Sequence, residues 1–252
     1  MMPDWLTAFV VGTLGGSALL VGCAIAWKWR IPTKTVSTVM AFGAGVLISA
    51  LAFELVGEAV STGGISATVI GFIVGAALFA GANAMLAARG AKHRKRSGPL
   101  QPGEDEHPGS GTAIAVGALL DGIPESLVLG LGIVAGGAAS PAMLTAVFIS
   151  NVPEGLASTA GMKRAGRGAG YVFGVWGGIA VMSGISALVG YLALQTAPDP
   201  LVAFINALAA GAILAMVADT MIPEAFEEHH VMTGMTASMG FVAALALHHA
   251  GG

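Results

Sequence analysis

Asp121-Gly-Ile-Pro-Glu125 and Ser150-Asn-Val-Pro-Glu154 each set a proline and a carboxylate in the middle of a membrane-length apolar stretch. In both, an oxygen-bearing side chain precedes a glutamate by four residues, so a helix carries the two on one side. Pro124 and Pro153 have no N–H, which frees the carbonyls of Leu120 and Ile149 from helical pairing. A mid-helix carboxylate costs about 3 kcal/mol on membrane-insertion scales, and an unpaired carbonyl adds to that cost. No Lys or Arg lies in any apolar segment. The neutralising charge is therefore expected from outside the chain. A metal cation held by Asp121, Glu125 and Glu154, with Ser150 and Asn151 as weaker ligands, is the chemistry this spacing suggests. Protonated carboxylates serving as a proton relay are the alternative.

The elements that must position these groups are membrane helices. Of 252 residues, 55% are hydrophobic and 10% charged, which excludes an ordinary soluble domain. The 38 glycines suit close-packed membrane helices. The single Cys23 excludes an intramolecular disulfide framework and a cysteine zinc cluster. Apolar runs near 6–27, 36–60, 65–88, 112–134, 141–162, 170–195, 200–223 and 231–249 can each cross a bilayer. The first follows Asp4 and precedes Lys28, a pattern of a retained helix rather than a cleaved signal peptide. All eleven basic residues fall after the first, third and fifth runs, so eight spans put them on one face. The positive-inside rule makes that face cytoplasmic and both termini extracytoplasmic. The longest connection, 89–111, reads as a disordered, solvated cytoplasmic loop.

An internal repeat supports an inverted architecture. The stretch from Ala41 matches that from Ala207 at Ala41, Ala44, Gly45, Ala52, Glu58 and Ala59, each 166 positions before an identical residue. The two stretches cross in opposite senses, as the inverted repeats of transporters do. Spans 1–3 and 6–8 then flank a central pair in a 3+2+3 arrangement. By depth, Glu54 and Glu58 lie toward the outer end, Asp121, Glu125 and Glu154 near the midplane, and Asp219 and Glu224 toward the inner end, followed by Glu227, Glu228, His229 and His230. Such a ladder would line a pathway for a cation. His248 and His249 read as surface residues. Gly12-x-x-x-Gly16, Gly71-x-x-x-Gly75 and Gly174-x-x-x-Gly178 suggest close helix packing.

These features resemble the ZIP (Zrt/Irt-like) family of divalent-metal transporters. The likeness spans nearly the whole chain: eight spans, a long loop after the third, both termini outside, and Pro-Glu motifs on the fourth and fifth. The family's fourth span typically reads His-Asn-x-Pro-Glu-Gly, matched here by Asp121-Gly-Ile-Pro-Glu-Ser126. Its fifth carries His or Gln, then Asn or Asp, then x-Pro-Glu-Gly, matched by Ser150-Asn-Val-Pro-Glu-Gly155. The resemblance implies that Asp121, Glu125, Ser150 and Glu154 surround the main metal. Histidine is missing from both motifs, and Gly122 removes a ligand to a second, adjacent metal. Anchoring the sixth span on Gly190-Tyr-Leu192 puts Ser183 nearest the glutamate that often serves that second site. An oxygen-rich site shifts preference from the zinc the family implies toward manganese or iron.

The sequence thus describes an all-α polytopic protein of the inner or plasma membrane, one transporter domain over 1–252. It would move divalent metal, zinc or else manganese or iron, toward the cytoplasm. Glu54, Glu58, Asp219 and Glu224 are the candidate pathway residues. No resident cofactor is called for, the metal being cargo. Partners are the ion and the bilayer, a homodimer is admitted, and nucleic acid is not expected. An intramembrane metalloprotease needs His-Glu-x-x-His, and no His-Glu pair occurs, so no enzyme is expected. A proton-coupled carrier of another small cation and a non-transporting metal-binding relative are the rival readings.

Overall fold

Residues 2–101, 103, 105–136, 140–227 and 231–251 are described by a computed structural model. All regular structure among them is helical: α1 Asp4–Lys28, α2 Thr33–Ala50, α3 Gly57–Leu86, α4 Ser110–Gly136, α5 Pro141–Arg164, α6 Ala169–Leu194, α7 Asp199–Met216, α8 Ile222–Ala225 and α9 Thr233–Gly251. Three π-helical turns, Leu51–Val56, Ala87–Ala91 and Val217–Met221, continue α2, α3 and α7. Glu228, His229 and His230, expected at the inner surface, lie outside the described residues.

Among the described residues, five helical stretches are long and apolar enough to cross a membrane: Asp4–Lys28, Thr33–Ala91, Ser110–Val134, Ala169–Leu194 and Asp199–Ala225. The second runs for 59 residues, far more than the ~20 that one crossing requires. It is broken at Gly64, whose φ of 78° and ψ of 169° no helix contains. That break falls in the predicted Ser61-Thr-Gly-Gly64 separator. Helices α5 and α9 are not among the five. In α5, the polar residues that make it a site candidate (Ser150, Asn151, Glu154, Ser158 and Thr159) interrupt its apolar character.

The surface differs from that of a water-soluble protein, although the core is apolar as usual. Ile65, Ile70, Ile73, Leu78 and Met85 of α3 are exposed, whereas Asp121, Glu125, Glu154 and Glu224 are buried. Exposed apolar faces, with carboxylates withdrawn into a mainly apolar interior, match a hydrocarbon environment.

The repeat seen in sequence has a counterpart in the backbone. The π-turns after α2 and α7 begin at Leu51 and Val217, again 166 positions apart. The packing is reciprocal as well: α2 lies on α9, and α7 lies on α3. A Cβ at Gly45 would overlap the Ala237 carbonyl of α9, and one at the equivalent Gly211 would overlap the Phe72 carbonyl of α3. Conversely, Gly240 meets Phe42 and Gly75 meets Leu208, the two partners once more 166 apart. Glycine at these positions lets backbones touch directly. Helix α1 is clamped between α5 and α6, and Gly12 and Gly16 face α6. Gly174 and Gly178 meet nothing, so the third small-residue pattern packs no described neighbour.

Candidate cation site

Pro124 and Pro153 lie inside helices that continue past them, and α4 and α5 bring Asp121, Glu125 and Glu154 into the protein interior. These carboxylates are 2%, 1% and 4% exposed. The counter-charge absent from every apolar segment is present in the fold. It comes from the connection after α3, expected to be a solvated linker, where Arg94 and Lys95 turn inward and are themselves buried. Arg94 grips Asp121 with both ends of its fork, Nε to Oδ2 at 2.8 Å and Nη2 to Oδ1 at 2.7 Å. Lys95 Nζ lies 2.7 Å from Glu154 Oε1 and 3.4 Å from Asp121 Oδ2. A bidentate guanidinium–carboxylate pair is among the strongest polar contacts available to a protein. The sequence-based need for an external cation is therefore met in part from within the chain.

Glu125 is treated differently. Asn151 stands beside it, but the Asn151 amide is aimed at the Gly15 carbonyl at 3.0 Å, and neither Glu125 oxygen completes a hydrogen bond among the described residues. With all five groups ionised, three carboxylates face two basic groups, and the residual negative charge belongs to Glu125.

A cavity of about 10 Å³, room for one water-sized particle, is lined by Arg94, Lys95, Asp121, Asn151, Glu154 and Trp176 among others. Ser150 does not line it. Its hydroxyl donates to the Val147 carbonyl at 3.0 Å, and its backbone faces Gly43 of α2. Ser183 does stand opposite Gly122, 3.7 Å from where a Cβ would sit. Among the described residues no three His, Cys, Asp or Glu side chains converge as a ready metal cage. Lys95 bridges the carboxylates of α4 and α5, and Arg94 takes up Asp121.

Toward the C-terminal end of α4, one turn past Glu125, Val128 and Leu129 border a second small cavity that also contains Glu54, Glu58, Ser140 and Asn206. Glu54 accepts from Ser140 Oγ at 3.0 Å and pairs with His248 Nδ1. The Asn206 side-chain oxygen is buried and has no hydrogen-bond partner among the described residues. On the Arg94 side of the site, the Asp219 carboxylate accepts from Asn83 at 3.1 Å, and Asn83 in turn accepts from Arg94 at 2.7 Å. Glu224 is fully buried and accepts from both the amide and the hydroxyl of Ser97.

The sequence assigned no site role to Arg94, Lys95, Trp176, Asn83, Ser97, Ser140 or Asn206, and it read His248 as a surface residue. The one signal for the first two was the charge deficit itself, which an ion or a folded-back loop satisfies equally. No family model matches the chain, and no curated protein is significantly similar to it.

Proposed function

We propose that the protein carries divalent metal cations across a membrane through the interior carboxylates of α4 and α5. The observation that carries the reading is Glu125, which is buried, has no hydrogen-bond partner among the described residues, and lies one helical turn from residues lining each of two cavities. A buried carboxylate without a partner is expensive, and a fold keeps one where charge is handled. Glu54 and Glu58 on one side and Asp219 and Glu224 on the other extend the line of oxygen ligands. The resemblance to ZIP transporters supplies the rest of the reading: eight spans in a 3+2+3 inverted repeat, both termini extracytoplasmic in an inner or plasma membrane, and cation movement toward the cytoplasm. Asp121, Glu125, Asn151 and Glu154 are the assigned ligands, with Ser150 as a weaker neighbour. Zinc, manganese and iron are the candidate cargoes.

The deciding experiment reconstitutes the full chain in proteoliposomes and measures uptake of a panel of radiolabelled divalent ions. Ion-selective uptake that Glu125→Gln abolishes is the expected result. Absence of uptake of any divalent ion would remove the proposal. It would favour a second reading, drawn from the Arg94–Asp121 pair, in which the carboxylates are structural anchors of a non-transporting relative.

A further inference from the structure

We propose that Arg94–Gln101 is a tethered cationic plug, with Arg94 and Lys95 standing in the candidate site in place of a divalent ion, so that ion and plug exclude one another. This rests on the cation-site reading above and assigns that site its regulation.

The segment is held by charge and hydrogen bonds rather than by apolar surface. Arg94 and Lys95 hold Asp121 and Glu154. Arg96 donates to the Pro223 carbonyl at 2.5 Å and lies 3.3 Å from Glu227 Oε2. Ser97 is bound to Glu224 through its amide at 3.0 Å and through its hydroxyl. Gln101 donates to the carbonyls of Arg94 and Ser158 at 2.9 and 3.2 Å, closing the loop onto itself and onto α5. Its one large apolar side chain, Leu100, is 45% exposed. A segment that docks through its charges leaves when those charges find other partners.

Two glycines make room for it. A Cβ at Gly117 on α4 would lie 2.6 Å from Arg94 Cδ, and one at Gly161 on α5 would overlap the Arg96 carbonyl and the Gln101 amide.

Charge balance makes the exchange feasible. Arg94 and Lys95 together carry two positive charges, as a divalent cation does. Replacing one by the other leaves the net charge among the three carboxylates unchanged, so the low-dielectric interior is not asked to hold an extra charge. The plug also leaves Glu125 free, and an ion arriving there competes with Lys95 for Glu154 and with Arg94 for Asp121.

The test uses the purified full-length protein in nanodiscs with Mn²⁺ alone as the probe. In a Cys23→Ser background, Ser97→Cys replaces a residue that is 1% exposed. Maleimide should label it slowly without metal and at least tenfold faster with saturating Mn²⁺, whereas Leu100→Cys should label at one rate throughout. Gly161→Ala presses on the plug without touching a charge, and Arg94→Gln with Lys95→Gln removes its cations. A plug docked in about 90–99% of molecules weakens apparent affinity about 10- to 100-fold, so each variant should tighten Mn²⁺ binding by up to that factor. Should the double glutamine variant fail to fold, Gly161→Ala and the labelling rates of the Ser97→Cys protein decide. Mn²⁺ binding that requires Glu125 but leaves the Ser97→Cys labelling rate and the Gly161→Ala affinity unchanged overturns the plug while keeping the site. No Mn²⁺ binding in parent or variants overturns both.

Discussion

Arg94 and Asp121 share two parallel hydrogen bonds of 2.8 and 2.7 Å although 27 residues separate them, and both side chains are 2% exposed. This pair converts a connection between two helices into part of the interior. Its energetic meaning is asymmetric. Desolvating two charges offsets most of their attraction, but removing one partner strands the other.

Arg94→Gln alone should therefore cost about 3–5 kcal/mol, and Asp121→Asn alone a comparable amount. The double variant should cost less than the sum, with a coupling of about 0.5–3 kcal/mol. Reversible chemical denaturation of the four proteins in one detergent reads this directly. Strict additivity would mean that the two side chains do not meet in the folded protein.

Glu125→Gln should behave in the opposite way. Among the described residues, no hydrogen bond reaches either oxygen of this buried carboxylate. Removing its charge should raise metal-free stability on the order of 1–3 kcal/mol while uptake falls to background. A variant that is destabilised by that amount would show that Glu125 has a structural partner.

The sidedness expected from the basic residues can be tested by labelling. Thr62→Cys, in the exposed turn beside Gly64, should react with an impermeant thiol reagent outside intact cells. Arg164→Cys and Leu100→Cys, both at exposed positions, should react only after permeabilisation. Ser97 is unsuited to this test because burial would shield a cysteine there from either side. External labelling at Leu100 would overturn the assignment of 89–111 to the cytoplasm.

What was legible in the sequence was local or periodic. Apolar runs gave the helices, and the Ser61–Gly64 separator gave the break in the long stretch. The 166-residue repeat was visible as matched residues, but the paired π-turns and the reciprocal Gly45 and Gly211 contacts that share its spacing were not. The glutamates beside Pro124 and Pro153 were recognisable as interior because each sits midway along a membrane-length, mainly apolar stretch. The partners of those glutamates were not legible. Lys92, Arg94, Lys95 and Arg96 look alike in a short basic run, and only tertiary docking decides that Lys92 is exposed while Arg94 and Lys95 turn inward. The Glu54–His248 pair joins residues 194 positions apart, a separation that no local pattern encodes.

The choice between Ser150 and Asn151 has the same origin and yields the last prediction. On a helix, positions four and three before Glu154 lie about 40° to one side and about 60° to the other, so spacing alone admits both. Packing breaks the tie. Gly43 of α2 approaches the Ser150 backbone, and the Ser150 hydroxyl turns back to Val147, whereas Asn151 lines the cavity with Asp121 and Glu154. An imidazole nitrogen favours Zn²⁺ over the harder Mn²⁺. Asp121→His with Asn151→His should therefore raise the ratio of Zn²⁺ to Mn²⁺ affinity, and Ser150→His should leave that ratio near the parental value. Competition between the two ions at one fixed pH measures this, since histidine ligation itself depends on pH. A larger shift from Ser150→His than from Asn151→His would mean that α5 presents its other flank to the ion, and the ligand set would then be Asp121, Glu125, Ser150 and Glu154, as the family resemblance alone implies.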